Sequence, residues 1–504
     1  MPVDMMECRM GKSYRPWNPT QPYLLPPSPT EWLPEDHLAY FVLETVGELD
    51  LHAIESRLQE REPRGERPYD PQMMVSLLLY AYCVGVYSSR KIARGTREDV
   101  AMRVISGGGS PHFTTVNGFR LEHRQALAGL FVQVFKLCRK AGLVRLGHVS
   151  FDGSKVAANA SKHRAMSYAR MLEEEKKIEE EVEKLLRRAE EVDREEDNRW
   201  GSGDGAEDLP QELKRRHQRL ARIREAKAEL EREAAESRAA QLRELAEGQQ
   251  KKADDEKEDP AERRRAGARA EKSRRQAQEL DPQPRDSSER KPSEEEPPLP
   301  MPRVSTTPEG RPAPKAQRNF TDADSRIMKR DGGFLQGYNA QIAVDGDYQV
   351  IVAQALTNQA ADQPHLIAMI ERVKAISGEL PEVGTADAGY FTPENVRYCE
   401  DQGFEALIAI GREHGRGKGV SAGKQAEQSA QRMRAKLDSE EGRALYRRRK
   451  TIVEPTFGQI REARGFRRFL LRGLSKARDE WAMVCTAHNM LKLHRYKETA
   501  LAPQ

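Results

Sequence analysis

Hydrophobic residues recur at helical spacing over the first third of the chain. Leu38, Phe41, Val42 and Thr45 fall on one face, as do Met74, Leu77, Leu78 and Ala81. Asp70 followed by Pro71 reads as a helix start, with the aspartate as cap and the proline at the first helical position. A break at Gly107–Gly109 precedes a further helical stretch from Thr115 to Ala141. The period then changes to two. His148–Asp152 (HVSFD) alternates and is rich in strand formers, and it is expected to end in a turn at Gly153-Ser154.

From about Arg164 to Ala316 the apolar pattern fades. Aromatic residues nearly vanish, and Glu, Arg, Lys, Ala and Gln dominate without a sustained apolar heptad. Met171–Val192 predicts a solvated helix carrying Glu-to-Lys/Arg pairs. Asp281–Pro314 holds ten prolines, which predicts disorder. Pattern returns at Asn319. Gly337–Val344 and Gln349–Leu356 read as paired strands around Asp345-Gly346-Asp347. An amphipathic helix follows at Asp362–Ile376, then a strand at Val383–Asp387, a helix at Pro393–Gln402 and a strand at Glu405–Ile410. Ser439–Lys497 reads as helical. Strands followed by helices in this order predict an α/β layer fold, with the charged block lying between its first and second strands.

Composition sharpens this division. Of 504 residues 33% are charged and 37% hydrophobic, a mix that argues against an integral membrane protein and against one compact globule. The longest apolar run, Met73–Tyr87, is too short to span a bilayer. Residues 1–35 form a proline-rich leader, expected to be extended, with no signal-peptide pattern. Cys8, Cys83, Cys138, Cys399 and Cys485 are far apart, which excludes a C-x-x-C zinc site and fits a reducing, cytoplasmic setting.

The net charge of +4 hides a strong asymmetry. Arg412–Arg478 holds 19 Lys/Arg against seven acids, or +12, so the rest of the chain carries −8. Phe457, Phe466 and Phe469 are interleaved with these arginines. Such a segment is an electrostatic footprint for a phosphate backbone, because a merely solvated face would bring balancing glutamates. Two aspartates stand at the carboxyl ends of expected strands, Asp152 in VSFDGSK and Asp387 in GTADAGY, where α/β sheets gather functional groups. Strand-end aspartates also commonly cap the next turn. Glu454 lies in the basic segment, one step off the stripe Val453, Phe457, Ile460, near a helix start marked by Pro455.

Three carboxylates beside a polyphosphate surface point to hard-metal chemistry with two Mg²⁺ or Mn²⁺ ions, needing no protein nucleophile. His148, His163, His365 and His488 are scattered, without an H-E-x-x-H pair. Gly415–Gly419 (GRGKG) is a flexible basic loop rather than a nucleotide-phosphate loop.

Six ordered segments carry a family likeness: YDPQMMVSLLLYAYCVGVYSSRKI, FDGSKVAANASK, NFTDADSRIMKRDGGFLQGYNAQIAVD, TNQAADQPHLI, TADAGYF and RRKTIVEPTFGQI. Over about Tyr69–Tyr496 the chain resembles bacterial insertion-sequence DDE transposases of the IS-four superfamily, IS-eleven-eighty-two type. The resemblance implies an RNase H-like catalytic domain at 147–163 and 317–497, interrupted by a charged helical or disordered insertion at 164–316. An all-helical DNA-binding domain at 36–146 would precede it.

The same resemblance implies Asp152, Asp387 and Glu454 as the catalytic, metal-binding triad. Lys155, Arg449, Lys450, Arg461, Arg464 and Arg468 are the expected DNA contacts. In the family's Tyr-Arg-Glu-Lys signature, Arg461 stands for the lysine, while Tyr446 and Arg449 lie one residue too far upstream of the glutamate. Some relatives insert a base-stacking tryptophan between the second aspartate and the glutamate. Here that interval has none, and Trp200 in the other insertion reads as isolated. The implied activity is binding of insertion-sequence ends, phosphodiester cleavage and transfer of the 3′ hydroxyl to target DNA. It would proceed in a synaptic homodimer in the bacterial cytoplasm, associated with the nucleoid on DNA. A structure-selective nuclease without strand transfer, or an inactive DNA-binding scaffold, are the competing readings.

Overall fold

The computed structural model describes residues 31–59, 67–200, 211–255, 259–280, 297, 299–300, 304–330, 332–411 and 424–501. Most of the proline-rich leader, Cys8, the loop Gly415–Gly419 and most of 281–303 lie outside these residues.

Seven helices come first: α1 (Leu38–Gly47), α2 (His52–Gln59), α3 (Pro71–Cys83), α4 (Ser89–Glu98), α5 (Val100–Ile105), α6 (Phe113–Glu122) and α7 (Arg124–Lys140). Asp70 caps α3 as its sequence predicts, its carboxylate accepting from the Met73 N–H at 3.0 Å. Strand β1 (His148–Ala157) follows, then the short β2 (Ala165–Ser167). The charged segment that follows is built of α8 (Tyr168–Trp200), α9 (Gln211–Asp254) and α10 (Pro260–Glu279), after which β3 (Gln317–Asn319) pairs antiparallel with β2.

The sheet resumes with β4 (Arg326–Arg330), β5 (Gly333–Asp345) and β6 (Ile351–Thr357). Next come α11 (Leu366–Ser377), β7 (Val383–Ala386), α12 (Pro393–Asp401), β8 (Glu405–Ile408), α13 (Lys424–Asp438), α14 (Glu440–Gly458) and, after a π-helical turn at Gln459–Ala463, α15 (Leu474–Leu501).

Spatially, β5 lies between β1 and a shared edge formed by β4 and β6, all antiparallel to it. β7 and then β8 continue from β1 in parallel. One hydrophobic core runs from the N-terminal helices through the sheet to α15. Every residue of α15 from Trp481 to Met490 is buried, and the helix packs on α3 and α7 as well as β6. Its polar residues are satisfied internally: Asn489 bonds both the N–H and the C=O of Ile351, at 2.8 Å each, which covers the β6 edge. The four described cysteines are buried free thiols.

Three expectations need correction. β1 does not turn at Gly153 but runs on to Ala157, paired with β5. Glycine is required there by close approach, since a Cβ would stand 2.3 Å from Gln341 Nε2 and 2.6 Å from Asp362 Oδ1. The insertion does have an apolar seam. Leu213, Leu220, Ile223 and Leu230 bury against Met171, Ile178 and Val182 of α8, a heptad spacing masked in sequence by its many alanines and arginines. Within the proline-rich stretch, 304–314 is ordered. Thr306 bridges Pro312, and the Ala313 N–H bonds the Ser305 carbonyl at 2.7 Å.

Candidate active site

The β1–β7 pairing ends at Phe151 opposite Ala386. Asp152 and Asp387 are the next residue on each strand, so the register sets them level on neighbouring chains. β1 continues, held by β5, with Asp152 opposite Ile342. The β7 chain turns away, and Asp387 caps that turn by accepting from the Gly389 N–H at 2.8 Å. Burial pushes the Asp152 carboxyl up to about 6, with the charge of Asp387 adding to the shift and Arg449 opposing it. Burial likewise raises Asp387, and Asp362 acts in the same direction.

Asp362 is the acid that pattern reading misses. It precedes α11 in a loop, so no strand-end rule marks it, although it lies within the TNQAADQPHLI segment. Its carboxylate accepts from Lys155 Nζ at 2.9 and 3.0 Å, Asn339 Nδ2 at 2.7 Å and Gln341 Nε2 at 2.8 Å. A Cβ on Gly389 would lie 2.9 Å from Asp387 Oδ1 and 3.5 Å from Asp362 Oδ2, so these two oxygens are less than about 6.5 Å apart. Tyr390 donates to Gln341 Oε1 and closes the floor of the site. Because Asp362 satisfies one ammonium and two amides at once, Asp362→Ala is expected to cost about 2–4 kcal/mol in denaturant unfolding. An unchanged midpoint would show that Lys155 finds another partner.

Helix α14 packs over β1, β5 and β7. It brings Arg449 to Asp152, Nη1 to Oδ2 at 3.3 Å, and Arg449 in turn lies over the Tyr446 ring at 6.0 Å. Ile452 and Val453 face inward. Glu454 is exposed on this helix and makes no hydrogen bond or ion pair with the described residues. Pro455 sits inside α14 rather than at a start. Proline has no N–H to give the carbonyl four residues back, and that carbonyl, on Thr451, accepts from Gln349 Nε2 at 2.9 Å instead. Asp152, Asp387, Lys155 and Arg449 are thus brought together, and Glu454 stands apart on the helix that carries Arg449.

The remaining cations divide. Lys450 and Arg468 are exposed and Arg461 is half-buried. Arg464 does not face solvent: it is 8% exposed, and it bonds His488 Nδ1 at 3.1 Å and the Gln459 carbonyl. A DNA-contact role does not hold for it, because a count of cations along the sequence treats every arginine as outward. Arg468 bridges to Ala157 at the end of β1. The turn behind it is held by three acids. Glu480 accepts from the N–H groups of Leu470 and Leu471, Asp322 from Gly473, and Asp324 from Leu474. Burial pushes the Glu480 carboxyl up to about 7. His148 and His365 are buried and held near 4 by desolvation, neutral structural groups as their scattered positions imply.

Residues 304–490 match the family model described as Transposase DDE domain, and residues 27–122 match the one described as Transposase domain (DUF772). The chain belongs to the insertion-sequence DDE transposases. No curated protein and no solved structure matches it. The DDE match begins at residue 304, so Asp152 lies outside the matched residues. The β1–β7 register supplies the link to Asp387. The family uses divalent metal ions. The paired carboxylates offer the hard oxygen donors such ions take, but among the described residues no three His, Cys, Asp or Glu side chains are grouped to hold one. No described helix is long and apolar enough to cross a membrane.

Proposed function

We propose that this transposase binds the ends of its insertion sequence, cleaves a phosphodiester bond and joins the freed 3′ hydroxyl to target duplex. The IS-eleven-eighty-two type is the assignment within the family that fits both matched domains. One observation carries the reading: two half-buried aspartates stand level at the open end of the β1–β7 pair. The strand order, antiparallel on one side of β1 and parallel on the other, supports an RNase H-like sheet. The helices of 36–146 would serve as the DNA-binding part and 164–316 as the insertion.

Asp152 and Asp387 would hold Mg²⁺ or Mn²⁺, with Glu454 as the third acid. When bound, two such ions activate the attacking water or hydroxyl and stabilise the leaving oxygen. The protein's own groups then divide the remaining work. Arg449 and Lys155 offset part of the charge of the carboxylate cluster before DNA arrives. Lys450, Arg461 and Arg468 meet the phosphates around the cleavage point. Two ends act together in a homodimer, in the bacterial cytoplasm.

The test uses labelled end oligonucleotides with a target plasmid and Mg²⁺. Both nicked ends and joined products are expected, and cleavage without joined product would favour a structure-selective nuclease instead. Glu454→Gln should remove both products while leaving end binding within about twofold, since it takes away a transition-state contact rather than a binding one. Wild-type cleavage by that variant would remove Glu454 from the site.

A further inference from the structure

The insertion is a beam fixed near its middle. Arg318, 5% exposed, pairs with Glu229 and Glu233 of α9, Arg326 reaches Glu233 at 2.8 Å, and Tyr168 donates to Glu231 at 2.6 Å. On one side of this joint the first half of α9 packs against α8, and on the other its second half packs against α10.

The two lobes use their charges differently. Between α8 and α9 the cations are engaged across the helix pair: Arg216 on Glu181, Arg219 on Glu174, Arg224 on Glu175 and Glu179, and Lys227 on Glu175. Helix α10 carries seven Lys/Arg against three acids. It is clamped on α9 through Ala266, Ala270, Ser273 and Ala277, a stripe spaced four, three and four residues apart. At that spacing Arg264, Lys272 and Arg275 project from the opposite face, flanked by Arg265 and Arg269, and all five are exposed. Arg264 and Lys272 make no ion pair with the described residues, and the other three have only long contacts of 3.5–3.7 Å to acids on their own helix.

We infer that this outer face of α10 is a second binding surface for duplex DNA, gripping the phosphate backbone without reading sequence. From Arg264 to Arg275 the helix spans roughly 16 Å, at 1.5 Å per residue. That length matches about five phosphates along one strand at 3.4 Å each. The mid-beam joint holds the stripe in a fixed relation to β3 and β4, and so to the sheet that carries Asp152. The inference rests on the proposed DNA-joining function and adds a contact remote from the reacting atoms.

The test compares the full-length chain with a variant in which Arg264, Arg265, Arg269, Lys272 and Arg275 are all changed to Gln, a residue that keeps helix propensity. Binding to a random-sequence 30-base-pair duplex is measured from low to moderate salt. The slope of log affinity against log salt should shrink by about 2–4 in the variant, near 0.9 for each phosphate no longer neutralised, while Mg²⁺-dependent nicking of a short end oligonucleotide persists. Salt-dependent binding by the wild type with the same slope in the variant would overturn the inference. So would a change in the variant's oligomeric mass with the slope intact, which would make the stripe a contact between copies. A wild-type chain that binds no duplex at any salt would instead overturn the DNA-joining function itself.

Discussion

Asp152→Asn is expected to lower DNA cleavage by about a thousandfold or more while making the metal-free protein more stable. The first effect follows if the carboxylate supplies a metal ligand whose loss cannot be replaced from the neighbouring strand. The second follows from proton linkage. The folded carboxyl sits at about 6, above its ordinary value of 3.8, because burial and the charge of Asp387 resist ionisation. A raised acid favours the folded state fully below about pH 4, and this contribution is lost as pH rises through about 6. At pH 7.5 the ionised wild type therefore forgoes about 1–3 kcal/mol that the neutral asparagine retains. Unfolding midpoints in chelator should be higher for the variant at pH 7.5 and converge near pH 4. A variant less stable than wild type at neutral pH would mean that the Arg449 contact outweighs the burial cost.

Glu480→Gln is the second large expected effect, and it concerns stability alone. Glu480 is 1% exposed and accepts the Leu470 and Leu471 N–H groups. Its carboxyl is raised from 4.5 to about 7 by burial. Its ionisation is therefore disfavoured in the fold, and wild-type stability should fall by about 2–4 kcal/mol between pH 4.5 and 8 from this group. Glutamine keeps an oxygen for the two N–H groups but cannot ionise, so the variant's curve should be flatter and lie above wild type at pH 8. Parallel curves would show that another group governs the pH dependence.

What can be read from the sequence, and what cannot, follows from the range of the interactions involved. The α3 start at Asp70-Pro71 and the strands bearing Asp152 and Asp387 rest on local pattern, and they recur in the fold. Asp362 escapes because its partners, Lys155, Asn339 and Gln341, come from two strands that meet only in the folded sheet. Gly153 reads as a turn because a glycine required by close approach has the same local signature as one required by a bend. Arg464 adds to an apparent basic surface although it fills space between α15 and the loop after α3. A Cβ on Gly85 there would stand 2.5 Å from its carbonyl oxygen. Pro455 suggests a helix start, since nothing nearby in sequence discloses that Gln349 compensates for its missing N–H.

The placing of the insertion within the sheet has a consequence for synthesis. Asp152 pairs with Ile342, and the ribosome, adding roughly 5–20 residues per second, needs about 10–40 s to make the chain between them. For that interval β1 leaves the exit tunnel with an unpaired edge rich in strand formers, the kind of surface that invites association with other nascent chains. Helices α8 to α10 form from mostly local contacts and can close within this wait, and the β2–β3 pair then returns the chain to where it left. The length of this segment thereby delays assembly of the carboxylate cluster until most of the molecule has been made.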